Sequence, residues 1–126
     1  MGKKIVATNA APKAIGPYSQ AVRNGTWAFI SGCLPADPVT GDLTGGDIRT
    51  QTARVLDNMK EVLKACKMEF KHVIKTTVFV TNLADFADMN DVYAKYFTEN
   101  PPARSTVQVA ALPKGALVEI EAVARK

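Results

Sequence analysis

The stretch "DIRTQTARVLDNMKEVLKACKMEFKHVIKTTVFVTN", residues 47 to 82, decides the fold, because its apolar period changes part-way along. From Asp47 to Lys67 the pattern is helical. Ile48, Val55, Leu56, Met59, Val62, Leu63 and Cys66 recur at the spacing that puts side chains on one face of a helix, and Asp47 is placed to cap it. From His72 to Asn82 the run is rich in β-branched residues and reads as a strand. A helix with one broad apolar stripe needs a surface to lie on. The strand that follows, apolar or Thr-rich on both sides, supplies part of one.

The same reading extends outward. "KIVAT" (4–8) is a short strand candidate. The Pro/Gly-punctuated segment 11–22 follows, its later part extended, then "TWAFISG" (26–32), a good strand. Residues 35–46 are loop by composition. A second helix is expected over 84–97, with Phe86, Met89, Tyr93, Tyr96 and Phe97 as its apolar stripe and Pro101 and Pro102 as its stop. Two final runs, Thr106 to Val109 and 116–124, read as strands. The order β-β-β-α-β-α-β-β describes one α+β domain over 1–126, with two helices packed on one face of a mixed sheet.

Composition bounds the rest. The chain has 126 residues, 47% of them hydrophobic and 22% charged, enough for a real core and too little charge for disorder. The net charge of +4 favours anionic partners without choosing among small carboxylates, RNA and acidic surfaces. Lys60, Lys64, Lys67 and Lys71 are the densest basic group, towards and just beyond the end of the first helix. They read first as a solvated face complementing the helix dipole, and second as a nucleic-acid patch. Cys33 and Cys66 form neither a metal spacing nor a disulfide framework, and they read as small core residues. Lone His72 reads as a surface histidine. Free thiols, no membrane-length apolar run and no signal-peptide centre point to a soluble intracellular protein, cytosolic by default.

The last two strands carry charge. By alternation, Ser105, Val107 and Val109 share one side of the first, and Arg104, Thr106 and Gln108 the other. In the second, Val118, Ile120 and Ala122 oppose Leu117, Glu119, Glu121 and Val123. Given the apolar sets to the helix layer, Arg104 and Glu119 are expected together on the opposite face. Leu117, Val123 and the Thr-rich strand are not a washed surface, so that face asks for a second cover, another subunit.

At this point a resemblance enters. "AIGPYSQAV" (14–22), "ISGCLPADPVTGDL" (30–43), "QTARVLDNMKEVLKA" (51–65), "VIKTTVFVTNLADFADMNDVYAKYF" (73–97) and "PPARSTVQVAALPKGALVEIEAVA" (101–124) resemble, in order and spacing, the RidA/YjgF/UK114 family of enamine/imine deaminases. The resemblance implies a chorismate-mutase-like fold and a homotrimer with a central β-barrel, outer helices and ligand sites between subunits. It implies cofactor-free hydrolysis of 2-aminoacrylate and related imino acids to 2-keto acids and ammonia, which protects pyridoxal-phosphate enzymes. Position by position, Arg104 matches the arginine that grips the substrate carboxylate, a task suited to a planar, permanently charged guanidinium. Glu119 matches the acid that holds the hydrolytic water. Tyr18 matches a pocket wall, Ser31 and Gly32 the element that closes it, and Asn90 an asparagine near the cleft. Thr106 matches a position whose backbone meets the substrate.

The chain departs from the family pattern at three positions. Cys33 stands where Gln is common, Thr106 where Cys is common, and Lys67 where the first helix is expected to lose its usual glycine cap. Two rival readings remain beside hydrolysis. One is RNA cleavage or binding, an activity reported for relatives; this chain lacks the aromatic and basic motifs for it. The other is a non-catalytic binder of small 2-keto or imino carboxylates.

Overall fold

The computed structural model describes residues 2–126. Three strands lead, β1 (Lys3–Val6), β2 (Ala21–Asn24) and β3 (Trp27–Cys33). Then come helix α1 (Ile48–Ala65), strand β4 (Val73–Val80), helix α2 (Phe86–Tyr93), and strands β5 (Ala103–Gln108) and β6 (Val118–Arg125). The expected element order is therefore found, with ends shifted by a few residues. The strands form one mixed sheet in the order β1-β2-β3-β6-β4-β5. Every pairing is antiparallel except β4 with β5. That one is parallel because α2 crosses over between them.

Asp47 caps α1 as its residue type allows, its carboxylate accepting from the Thr50 N–H at 2.9 Å. The stripe from Ile48 to Cys66 is buried. It lies over the inward faces of the central strands, with Ala28 and Ile30 from β3, Val78 and Val80 from β4, and Val118, Ile120, Ala122 and Ala124 from β6. In α2, Met89, Val92 and Tyr93 are buried, but Phe86 is 38% exposed. The other face of the sheet has no cover. Ile5, Trp27, Phe29 and Val107 are exposed on it, beside half-buried Phe79 and Val123. This is a larger apolar expanse than a lone soluble domain usually leaves open.

The expected parity holds for β6 and fails for β5. Glu119 pairs with Phe79 and Glu121 with Thr77, on the uncovered face. In β5 the parallel register sets Thr76 opposite Arg104, Val78 opposite Thr106 and Val80 opposite Gln108. Thr76, Val78 and Val80 are buried beneath the helices. Arg104, Thr106 and Gln108 therefore lie on the helix side, and Ser105 and Val107 on the open side with Glu119. Contacts confirm the sidedness. The Gln108 side-chain oxygen accepts from the Leu83 N–H just before α2, while Lys75 on the open face donates to Ser105 at 3.1 Å. The physical reason is that α2 reaches over the edge strand with aromatic rings. Those rings accept a guanidinium and its stem where a closed core would want valine.

Lys67 also differs from expectation. It adopts the left-handed conformation, φ 62°, that the missing glycine would have taken. The Lys67 N–H bonds Lys64 O and the Met68 N–H bonds Leu63 O, both at 2.9 Å, with Leu63 and Met68 buried together. The helix thus ends in a complete Schellman motif on a residue poorly suited to it. Replacing Lys67 with Gly should raise stability by about 1 kcal/mol, the scale of the left-handed penalty, read as a higher urea midpoint at unchanged slope. An unchanged or lower midpoint would show that no strain is held there.

Candidate functional site

The residues singled out from the sequence fall into two groups, one around the end of β3 and one where β5 meets α2. The first surrounds an irregularity in β3. Ile30 pairs with Ala122 and Cys33 with Ile120, so Ser31 and Gly32 together stand against the single residue Glu121. This β-bulge turns the strand end. It also brings the backbone of Gly32 onto the Glu119 carboxylate. A Cβ at position 32 would stand 2.7 Å from Glu119 Cδ and closer still to Oε2. A side chain there would oblige the carboxylate end of Glu119 to move.

Ser31 is tied to the preceding segment. Its hydroxyl donates to Ser19 O at 2.6 Å, and its N–H to Gln20 O at 3.0 Å. Gln20 in turn holds the looping segment, donating to Thr8 O (3.0 Å) and Pro12 O (2.8 Å) while accepting from the Thr8 N–H (2.7 Å). The segment ends at Tyr18, 47% exposed, whose hydroxyl accepts from the Ile15 N–H at 3.3 Å. Tyr18, Ser31, Gly32 and Cys33 line a pocket of about 60 Å³ with Asn58 as part of its far wall. Asn58 donates to Leu34 O and Ala36 O, both at 2.9 Å. It therefore pins the loop that closes the pocket.

The electrostatics of this group are those of a poorly solvated wall. Desolvation, then the neighbouring charge of Glu121, raises the Glu119 pKa above the ordinary carboxylate value. Burial, then Glu119 itself, pushes the Cys33 thiol up to about 12. Cys33 is therefore a neutral thiol and no nucleophile, which agrees with its reading as a small core residue.

The second group sits where β5 meets α2. The Arg104 guanidinium carbon lies 4.9 Å from the Tyr93 ring centre and 5.5 Å from that of Phe86. Tyr93 is fixed by a 2.7 Å hydrogen bond with Thr76, and burial raises its pKa, so the platform is a neutral phenol. Among the described residues no carboxylate pairs with Arg104. Phe86, Asn90 and Tyr93 follow one another along one face of α2 at helical spacing, and Thr106 shares Arg104's side of β5. Asn90 Oδ1 and Thr106 Oγ1 are both buried without a hydrogen-bond partner. Two other such atoms, on Thr52 and Arg54, belong to α1. The Arg104 side of β5 and the ring-bearing face of α2 thus each carry an unsatisfied polar atom, an arrangement suited to a polar ligand.

Arg104 and Glu119 do not meet within one chain. Strand β4 separates β5 from β6, and the two side chains point to opposite faces. Sequence reasoning also missed the Phe86–Tyr93 platform and the clamps Gln20 and Asn58. Phe86 and Tyr93 were read as core stripe. Asn58 had a legible signal, a polar residue inside the apolar arc of α1. His72 is structural: its Nδ1 accepts from the Glu69 N–H at 2.9 Å.

An α+β domain with a desolvated acid behind a strand bulge and an unpaired arginine at the sheet edge is the class defined here. The Endoribonuclease L-PSP family profile matches residues 8–126. The human protein named 2-iminobutanoate/2-iminopropanoate deaminase is 47% identical over 122 residues, covering 97% of this chain and 89% of that protein. The crystal structure of RidA from the Antarctic bacterium Psychrobacter superimposes with a TM-score of 0.94 at 42% identity, over 98% of this chain and 99% of that one. That of E. coli TdcF with bound serine gives 0.93 at 44% identity, over 98% of each chain. The chain belongs to the Endoribonuclease L-PSP family, the RidA/YjgF group that its motifs resemble.

Gly32→Ala should lower the thermal midpoint by displacing Glu119. In the Gly32→Ala/Glu119→Ala double variant much of that loss should vanish, a coupling of roughly 1–3 kcal/mol. Simple additivity would mean that the two residues do not constrain each other.

Proposed function

We propose that this protein hydrolyses 2-imino acids, and their enamine tautomers such as 2-aminoacrylate, to 2-keto acids and ammonia at sites shared between the subunits of a homotrimer. One observation carries the reading. Arg104 lies on two aromatic rings without a carboxylate partner, on the side of β5 that also carries Thr106, and Asn90 lies on the ring-bearing face of α2; the side-chain oxygens of both are buried without a partner. Such a guanidinium offers parallel donors to a ligand carboxylate. The serine bound to the relative TdcF is a small amino carboxylate of this kind.

The trimer rests on two features of the chain. The open sheet face is apolar and uncovered. The two halves of the site are separated within one chain, so a subunit packed on that face must bring its own half to complete the site. The bulge group of one subunit, with Tyr18, Ser31, Gly32 and Glu119, then faces the Arg104 edge of another. Strand β5 is an edge strand, so part of its backbone is free for a ligand near Thr106.

The chemistry is R–C(=NH2⁺)–COO⁻ plus water giving R–CO–COO⁻ plus ammonium. Arg104 fixes the carboxylate and so the position of the adjacent imine carbon. Water forms the new C–O bond as Glu119 takes its proton, and the C=N π pair moves to nitrogen. The protonated Glu119 returns that proton to nitrogen. The C–N bond then breaks as the hydroxyl becomes the keto group, its proton leaving with the ammonia. A carboxyl whose pKa is raised by desolvation suits both halves of this exchange. Protection of pyridoxal-phosphate enzymes would follow from removing the imines that those enzymes release.

The test is keto-acid release from imines generated by an amino-acid oxidase. Arg104→Ala should lower kcat/KM about 100-fold or more, the scale of two charged hydrogen bonds at roughly 1.5–3 kcal/mol each. Glu119→Gln should lower turnover more than ligand affinity. Because the base must be ionised and its pKa is raised, wild-type turnover should fall on acidification at a pH above the ordinary carboxylate range, and Glu119→Gln should lose that limb. Full activity in Arg104→Ala overturns the assignment. Phe29→Asp places a charge on the uncovered face. It should reduce the mass in sedimentation from three chains of 13.6 kDa towards one, with activity lost in step. An active single chain would refute the shared site.

A further inference from the structure

The basic group noted in the sequence has no part in the imine site. Lys60, Lys64 and Lys71 instead rim a second cavity of about 310 Å³. It lies between the C-terminal half of α1, the turn Phe70–His72 and the residues that end α2. It shares no lining residue with the Tyr18 pocket. It opens on the helix side of the sheet, so a subunit on the open face would leave it accessible. Its size is at the lower end of small-molecule sites.

The floor is aromatic and preformed. Phe70 stands edge-on to Phe97 at 5.0 Å and to Tyr96 at 5.7 Å between ring centres. The Tyr96 hydroxyl donates to Asp57 at 2.8 Å, which holds that ring in place. The rim is cationic on balance. Lys71 is matched by Glu69 at 3.6 Å, and Glu99 is the remaining acid. Lys60 and Lys64 are exposed and have no carboxylate partner among the described residues. They stand one turn apart, where like charges repel. The helix dipole accounts for Lys64, in the last turn of α1, but not for Lys60, because the effect fades beyond that turn.

We propose that this cavity binds an aryl-alkyl monocarboxylate, with its ring against Phe70, Tyr96 and Phe97 and its carboxylate between Lys60 and Lys64. An anion there relieves the lysine repulsion, and the ring covers apolar surface that water now meets. The inference is independent of the imine-hydrolysis reading.

The probe is 4-phenylbutyrate, titrated into the wild-type protein and followed by residue-resolved amide NMR. Saturable shifts should centre on residues 60–71 and 96–99, apart from any at Arg104, Asn90 or Thr106 that report a carboxylate at the other site. Lys60→Glu/Lys64→Glu should weaken the first set at least tenfold and leave the second set and keto-acid release unchanged. 4-Phenylbutylamine, with the same ring and the opposite charge, should not bind. Absence of shifts around the cavity at millimolar ligand overturns the proposal. So does equal binding of the amine, or indifference to the charge reversal.

Discussion

Two helices cannot cover both faces of a six-stranded sheet, and the rest of this molecule follows from that shortage. The stripe of α1 and the shorter stripe of α2 are spent on one face, where Val78, Val118 and Ile120 are fully buried. The other face keeps Trp27 and Phe29 in water, stacked at 6.4 Å, with Arg125 over the indole. Such a face is stable in solution only if something apolar meets it. The fold thus leaves an interface as a by-product of its own core.

The same shortage explains what could be read from the sequence. Long elements with one strong period were legible. The stripe from Ile48 to Cys66 gave α1, and the alternation of β6 assigned Val118, Ile120 and Ala122 correctly to the core. Strand β5 was not legible, for a physical reason. Its six residues sit at the sheet edge, where neither side is dry, so polarity no longer marks the inward side. Its sidedness comes from its parallel register with β4, a long-range property that no local pattern encodes. Arg104 was singled out by residue type and expected on the wrong face. Residue type identified it, and only the Thr76 register assigns it to the rings of α2. Gln20 was equally invisible, because its work is hydrogen bonding to the backbone of a loop without periodicity. Lys67 shows the reverse case. The sequence signal was a missing glycine, yet the surrounding Schellman bonds force the conformation on a lysine.

The bulge in β3 links this architecture to charge. Two residues stand opposite one there, and the Glu119 carboxylate lies against Gly32, where a Cβ would displace it. The carboxyl gives up water on the Gly32 side and faces Glu121 along its own strand, so both causes of its raised pKa arise from the same local geometry. Cys33, next in line and fully desolvated, responds in the same direction and stays protonated.

Arg104 sits at the opposite extreme of the same logic. A guanidinium does not lose its proton in a dry place, so its cost has to be met by partners. Tyr93 and Phe86 meet part of it through their ring faces while leaving the fork of donors unoccupied. A carboxylate from the same chain would have been cheaper for folding and would have silenced the donors. The acidic residues of α2 are instead engaged elsewhere, Asp88 and Asp91 both bonding Arg49 on α1 at 3.0 and 2.6 Å. With these acids held away, no carboxylate of the described residues takes up the guanidinium's donors, and the proposed anionic ligand would find them free. In the proposed site Glu119, assigned the proton, would meet that ligand only across a subunit boundary. Within one chain the separation keeps this acid and this arginine from neutralising each other, and under the proposed shared site the pair would form only on assembly.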